Sequence, residues 1–166
     1  LRPGQGSQPL VRESRDAAIR FNETEHVLDT LAAASIENIV LNTMDVNSEN
    51  VISAVREAAG DYIVYSGPGG TILRKGILGQ GKEFIHVHPG WLPTYRGSTT
   101  VYYSLLADKT VSCSVFLMKE QIDAGPLLFR KKYRITETGI DFDRVLDPAL
   151  RASTLLDFFS KHTEYL

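Results

Sequence analysis

The sequence predicts an α/β fold built on an open, mostly parallel, twisted sheet with helices on both faces. Two observations carry that expectation. Short runs rich in β-branched and aromatic residues alternate with stretches of helical periodicity, the pattern of βαβ units whose strands are covered on both sides. Gly and Pro punctuate those runs where a parallel crossover would need its turns, at Gly60, at residues 67–70 and at Pro89-Gly90.

Each element has its own warrant. Residues 24–34 (TEHVLDTLAAA) place apolar side chains at helical spacing behind Thr24 as a cap, predicting a helix. Residues 36–41 (IENIVL) are short and β-branched, predicting a buried strand. Residues 47–59 open on Asn-Ser-Glu and stop at Gly60, with polar capping groups in front and a permissive glycine behind, predicting a second helix. A strand over 61–65, a turn at 67–70 and a short helical turn over 71–78 follow. The next strand, 83–88, is closed by Pro89, which cannot donate a ladder hydrogen bond. Beyond it the pattern reads as a helix over 99–107, a strand over 110–118 and an antiparallel edge strand over 127–135. Asp-rich turns from Thr138 lead to an amphipathic terminal helix over 148–161. The opening LRPGQGSQPL lacks an initiator Met, so residues 1–23 are expected to be flexible or irregular and 24–166 to form a single domain, with an N-terminally incomplete copy as an open expectation.

Composition narrows the partners. With 166 residues, 43% hydrophobic and 23% charged, the chain can bury one core rather than two. A formal net charge of -2 gives no electrostatic ground for a nucleic-acid or membrane surface. The nearest basic cluster is FRKKY at 129–133, which a solvated strand edge explains equally well. The single cysteine, Cys113, cannot form an intramolecular disulfide or a Cys-rich zinc site, which fits a reducing compartment. No apolar run approaches the roughly 18 residues of a membrane span and no secretory signal is visible, so the cytoplasm is expected. Edge strands near the C-terminus offer a route to a homodimer.

The chemistry concentrates in FIHVHPGWLPTYRG, residues 84–97. In an open parallel sheet the ligand crevice lies at the carboxyl ends of the strands, where His86 and His88 are expected. Residues two apart on a strand project together, so both imidazoles should enter one pocket while Val87 packs the other way. Three readings stay open for the pair. His86 and His88 with Asp123 could ligate zinc or iron. Both could be histidines satisfied by backbone partners at a strand end. Or one could move a proton in catalysis, as an ordinary pKa near 6.5 allows, for a gain of roughly 100- to 10,000-fold.

HPGWLPTYRG followed by QIDAGPLL resembles the formyltransferases that use formyl-tetrahydrofolate, among them those acting on methionyl-tRNA, glycinamide ribonucleotide and nucleotide-linked amino sugars. The positions that carry the resemblance are His88, Pro89, Leu92, Pro93, Tyr95, Arg96, Gly97, Asp123, Gly125 and Pro126, and it extends roughly over 40–133. The resemblance implies a Rossmann-like formyltransferase fold, formyl-tetrahydrofolate as donor and the amine of a small metabolite, such as a nucleotide-linked amino sugar, as acceptor. It implies that His88 is the general acid/base and electrostatic partner of the oxyanion, that Asp123 orients His88 or holds a relay water, and that Gly125 lets backbone approach closely. Gly70, Thr71, Ile72 and Leu73 are implied in receiving the pterin, with Ile122 on the opposite wall, and Trp91, Tyr95 and Arg96 in contacting substrate.

Departures from the family pattern bear on the reaction. His86 replaces an Asn whose amide donates to the formyl oxygen; an imidazole donates only in the right tautomer or when protonated, so transfer could be preserved, altered or lost to hydrolysis. Phe116 stands where several relatives carry His, and Gly90 where Ser is common. The family's opening strand and Gly-rich turn have no counterpart before Glu25, and no room remains for the extra C-terminal domain of transfer-RNA formylating relatives, so transfer RNA is not expected as acceptor. Trp91 could stack on a ligand or plug a strand end, and Arg96 could hold an anion or a structural carboxylate. Cys113 reads as a core residue, and His26 and His162 as surface helix residues.

Overall fold

In the computed structural model of the chain, residues 22, 24–135 and 140–161 are described. The element order is α1 (Val27–Ala33), α2 (Glu49–Glu57), β1 (Tyr62–Tyr65), α3 (Lys75–Leu78), β2 (Glu83–His88), α4 (Thr100–Asp108), β3 (Thr110–Leu117), β4 (Leu127–Arg134), a π-helical turn (Phe142–Leu146) and α5 (Asp147–Lys161). The expectations for the N-terminal segment, Asn22 apart, and for Thr138 and His162 lie outside the described residues.

The strands form one sheet in the order β1-β2-β3-β4. The expected α/β layering is present, but the sheet is mixed rather than mostly parallel. β1 runs parallel to β2, with Tyr65 opposite His86, whereas β2–β3 and β3–β4 are antiparallel, with His88 opposite Ser114 and Ser114 opposite Arg130. The connection decides this. The loop after His88 and the nine residues of α4 return the chain beyond the carboxyl end of β2, so β3 must run back along it. Lys109, held at φ 54, ends α4 one residue before β3 begins.

Alternation along the strands divides the interior into two layers. Ile85 and Val87 of β2 and Val111, Cys113 and Val115 of β3 pack with Val101 of α4 and with Leu150 and Phe158 of α5. Helix α5 buries Leu150, Ser153, Thr154 and Phe158, the one-sided spacing of an amphipathic helix. Thr154 donates to the Leu150 carbonyl at 2.8 Å and accepts from the Tyr133 hydroxyl at 2.7 Å, which joins α5 to β4. Phe158 is wholly buried, so truncating it to Ala costs about 3–5 kcal/mol. On the opposite face Phe84 meets Leu73 and Ile77, covered by Val51, Ile52 and Val55 of α2.

Two early elements differ from expectation. The helix begins at Val27, not behind Thr24, whose hydroxyl bonds the Asn22 side chain at 2.8 Å. Residues 36–41 form no strand. Ser35 adopts φ 53, its N–H bonds the Ala32 carbonyl and the Ile36 N–H bonds the Leu31 carbonyl, the two bonds of a Schellman closure. Ile36 is thereby spent ending α1 rather than starting a ladder, and Ile36, Ile39 and Val40 stay more than half exposed. No helix among the described residues is long and apolar enough to cross a membrane.

Candidate active site

A cavity of about 540 Å³ opens where the parallel pair ends. Tyr65, the last residue of β1, and His86 and His88, at the end of β2, line it together with Phe116 of β3. The two imidazoles thus share one hollow, while Val87 packs into the opposite layer.

His88 is buried, and its Nε2 lies 2.8 Å from the Tyr95 carbonyl oxygen and 3.4 Å from Thr100 Oγ1. A carbonyl only accepts, and Thr100 spends its own proton on the Pro89 carbonyl at 3.0 Å, so Nε2 is the proton-bearing nitrogen. Nδ1 is left facing Asp123 Oδ2 at 3.6 Å. Asp123 lies in the loop between β3 and β4. Near its start Lys119 pairs with Glu83 at the beginning of β2 at 2.8 Å, so the loop runs the length of β2 to reach His88. Asp123 sits at φ 50, a conformation short polar side chains tolerate better than most, and Oδ2 accepts the Gly97 N–H at 2.7 Å.

The loop that supplies Tyr95 is anchored to the sheet. Ser114, buried on β3, donates to the Gly90 carbonyl at 2.6 Å and accepts the Leu92 N–H at 3.0 Å. Arg130 donates to the Leu92 carbonyl at 3.0 Å and lies 4.2 Å over the Trp91 ring, with Lys132 Nζ 4.7 Å from the same ring. Lys131 pairs with Asp157 at 2.6 Å. The basic run at 129–133 is therefore employed in holding the loop and α5. The glycine at 90 has a local cause: a Cβ there would stand 2.5 Å from His88 Nε2 and 2.8 Å from the Tyr95 carbonyl oxygen.

His86 is held differently. Its Nδ1 lies 3.0 Å from the Tyr65 carbonyl oxygen, and its ring packs between Tyr65 (5.7 Å between centroids) and the edge of Phe116 (5.8 Å, 81°). Burial lowers its pKa from 6.5, against the raising effect of the Tyr65 hydrogen bond.

The other expected residues divide. Gly70, Thr71, Ile72, Leu73 and Ile122 line the cavity. Gly125 does not line it; a Cβ at 125 would overlap the Leu117 carbonyl oxygen, so glycine permits a close backbone crossing at the root of the loop. Trp91, Tyr95 and Arg96 are also absent from the lining: Trp91 stacks under Arg130 and Lys132, Tyr95 contributes its carbonyl to His88, and Arg96 is exposed. His86, His88 and Asp123 do not close into a metal-binding cluster, and no other group of three His, Cys, Asp or Glu does so among the described residues. Cys113 is fully buried and its thiol is pushed up to about 12 by that burial.

Several residues reach the cavity or its walls without a signal in the sequence. Tyr102, Phe142, Asp143, Asp147 and Arg151 line it from α4, the π-helical turn and the first turns of α5. Tyr102 donates to Asp143 at 2.6 Å, and Arg151 pairs with Asp147 at 3.0 Å. Burial raises the Asp147 pKa above its ordinary value despite the Arg151 guanidinium. The i,i+4 spacing of Asp147 and Arg151 marks them as a helical pair, but the terminal helix is expected only from 148 and nothing local places the pair at the cavity. Asn47, expected only as a helix cap, clamps the wall: Nδ2 donates to the Ile72 carbonyl at 3.0 Å and Oδ1 accepts the Arg74 N–H at 2.8 Å.

Comparison with known proteins places these features in company. A sequence profile described as "Formyl transferase" matches residues 11–146. The methionyl-tRNA formyltransferase of Listeria welshimeri is 39% identical over 98 residues, 55% of this chain and 31% of that protein. The chain accordingly spans about a third of the length of the curated relatives it matches. A phosphoribosylglycinamide formyltransferase from Bacillus halodurans superposes with a TM-score of 0.58 at 21% identity, over 81% of this chain and 75% of that one, a likeness of fold. A sugar N-formyltransferase from Shewanella sp. FDAARGOS_354 gives a TM-score of 0.55 at 25% identity, over 80% of this chain and 50% of that one.

Proposed function

The chain belongs to the formyl transferase family, and from that premise we propose that it transfers a formyl group from formyl-tetrahydrofolate to the amine of a small metabolite, such as a nucleotide-linked amino sugar. The observation that carries the reading is the convergence of His88 Nδ1 and Asp123 Oδ2, 3.6 Å apart, on the border of a ligand-sized cavity.

The cavity fits a folate. Ile72 and Ile122 line it yet remain 52% and 56% exposed, which leaves apolar surface for a flat heterocycle to cover. Gly70, Thr71, Ile72, Leu73 and Ile122 would hold the donor, with Asn47 fixing the Ile72 and Arg74 peptides behind them. When bound, the folate supplies the activated formyl carbonyl.

The protein's part is to place charge and move protons. His88 Nε2 is committed to the Tyr95 carbonyl, so Nδ1 is the atom that can take up a proton, and once it carries one it can donate to a developing oxyanion. Asp123, oriented by the Gly97 N–H, would hold a water shared with that nitrogen, or the nitrogen itself once it is protonated. Asp143 and Asp147 border the same cavity, the first engaged by the Tyr102 hydroxyl and the second by the Arg151 guanidinium.

Calorimetric titration with a stable formyl-folate analogue, followed by an assay of formyl transfer to free and nucleotide-linked amino sugars, tests the reading. His88→Asn is expected to bind the analogue and to lose roughly 100- to 10,000-fold in turnover. Unchanged turnover refutes the assignment of His88, and failure of the native protein to bind the analogue refutes the donor.

A further inference from the structure

His88 and Asp123 account for one imidazole, but a second lines the cavity where relatives carry an amide. The hydrogen bond from His86 Nδ1 to the Tyr65 carbonyl, 3.0 Å, fixes more than the ring's position. A backbone carbonyl can only accept, so Nδ1 must carry a proton. In the neutral imidazole the other nitrogen, Nε2, then carries a lone pair and no hydrogen. Nε2 has no hydrogen-bond partner among the described residues and is not among the sealed, partnerless atoms of the interior, although the ring lines the cavity. An asparagine in this place would present N–H groups to a carbonyl oxygen. Neutral His86 presents an acceptor instead.

We propose that His86 is the proton acceptor for the attacking amine, acting through an Nε2 lone pair that the Nδ1–Tyr65 hydrogen bond fixes toward the cavity. The role rests on the formyl-transfer reading above. As the amine nitrogen bonds to the formyl carbon, its N–H proton moves to Nε2 and the N–H electron pair stays on nitrogen. His86 then returns the proton to the folate nitrogen as the bond from that nitrogen to carbon breaks, and the ring ends neutral as it began. Oxyanion stabilisation, which an asparagine would have supplied, falls to His88 instead, whose Nδ1 donates to the oxygen only in the doubly protonated ring, with Nε2–H kept on the Tyr95 carbonyl and Asp123 beside the added charge.

The surroundings keep His86 in the required form. The titratable and charged groups facing it are Tyr65 of β1, His88 beside it on β2, Asp123 of the loop after β3, and Arg151 of α5. Arg151 and His88 disfavour a positive ring, and Asp123 opposes them. Burial between Tyr65 and Phe116 is the larger influence, and it also disfavours the cation. A base that is neutral near pH 7 yet regains a proton when an amine sheds one is the form the reaction needs.

Two measurements test this. Long-range 1H–15N correlation spectra of the histidine-labelled protein read each ring's tautomer without any variant. The expected result is neutral His86 at pH 7, protonated at Nδ1 and bare at Nε2. An Nε2–H tautomer, or a charged ring at pH 7, overturns the proposal. In the second, tetrahydrofolate release from formyl-tetrahydrofolate is followed across pH with a panel of free and nucleotide-linked amino sugars. The native protein should lose rate toward acid pH, with a limb that His86→Asn abolishes and His88→Asn leaves in place. A limb unchanged in His86→Asn overturns the assignment. Bound donor with no release for any amine overturns transfer itself and the role with it. No donor binding at all sinks the folate reading, while the spectra still decide the state of His86.

Discussion

Nδ1 of His88 and Oδ2 of Asp123 lie 3.6 Å apart, although one residue closes β2 and the other follows β3. Two backbone groups hold them there: the Tyr95 carbonyl on the far side of the imidazole and the Gly97 amide on the carboxylate. Both come from the loop after β2, so a single loop sets the angle between the groups and leaves little to side-chain chance.

Asp123→Asn keeps the size of the side chain and removes its charge. Formyl transfer is expected to fall about 100-fold or more while analogue binding stays within a few fold of native. Rapid-quench turnover and calorimetry on the same preparation check this; an equal loss in binding and turnover would show that Asp123 serves the pocket's shape alone.

Asn47→Ala removes both hydrogen bonds to the Ile72 and Arg74 peptides. At about 0.5–1.5 kcal/mol each, the Ile72 wall of the cavity loosens enough to raise the analogue's Kd by roughly tenfold if the donor binds there as proposed. The rate at saturating donor should hardly move, because the substitution is remote from His88. A fall in that rate with Kd unchanged would contradict the clamp.

Stability should depend on pH through His86. Its folded pKa lies below the ordinary 6.5, so between 6.5 and that lowered value the unfolded chain binds more protons than the folded one. Stability is therefore full above about 6.5 and declines as pH falls through the window. His86→Asn should flatten this segment of a denaturant-midpoint profile. Asp147 acts with the opposite sign. Its folded pKa lies above 3.8, so the folded form binds more protons there and stability falls as pH rises through its window. Parallel native and variant profiles across the His86 window would refute the assignment.

Gly125→Ala places a methyl group into the Leu117 carbonyl oxygen. Because that oxygen is backbone, relief requires the root of the Asp123 loop to shift, at a cost of about 1–3 kcal/mol. Thermal unfolding should register the loss and turnover should drop with it. Native values for both would mean that the two strands can part freely.

Much of this site was legible from local pattern. The strand Glu83–His88 appears with the bounds expected, because proline at 89 ends any ladder and alternation alone puts His86 and His88 on one side. The pairing of Asp123 with His88 followed from a resemblance rather than from spacing. What stayed hidden depends on distance in the chain. The direction of β3 is set by where α4 delivers the chain, and no window of residues encodes that. Residues 36–41 have strand composition, but the Schellman closure at Ser35 claims the Ile36 amide first. Asn47 looks like any helix-capping residue until the Ile72 wall is seen beside it. Asp147 and Arg151 form a helical pair whose meaning comes from the cavity at the start of α5.

The chain contains one tryptophan, and it sits on the loop that orients both His88 and Asp123. Two cations over the Trp91 indole perturb its excited state only while that loop stays docked on β4. Intrinsic emission is thus a built-in optical gauge of whether the machinery is assembled, readable in solution without any attached dye.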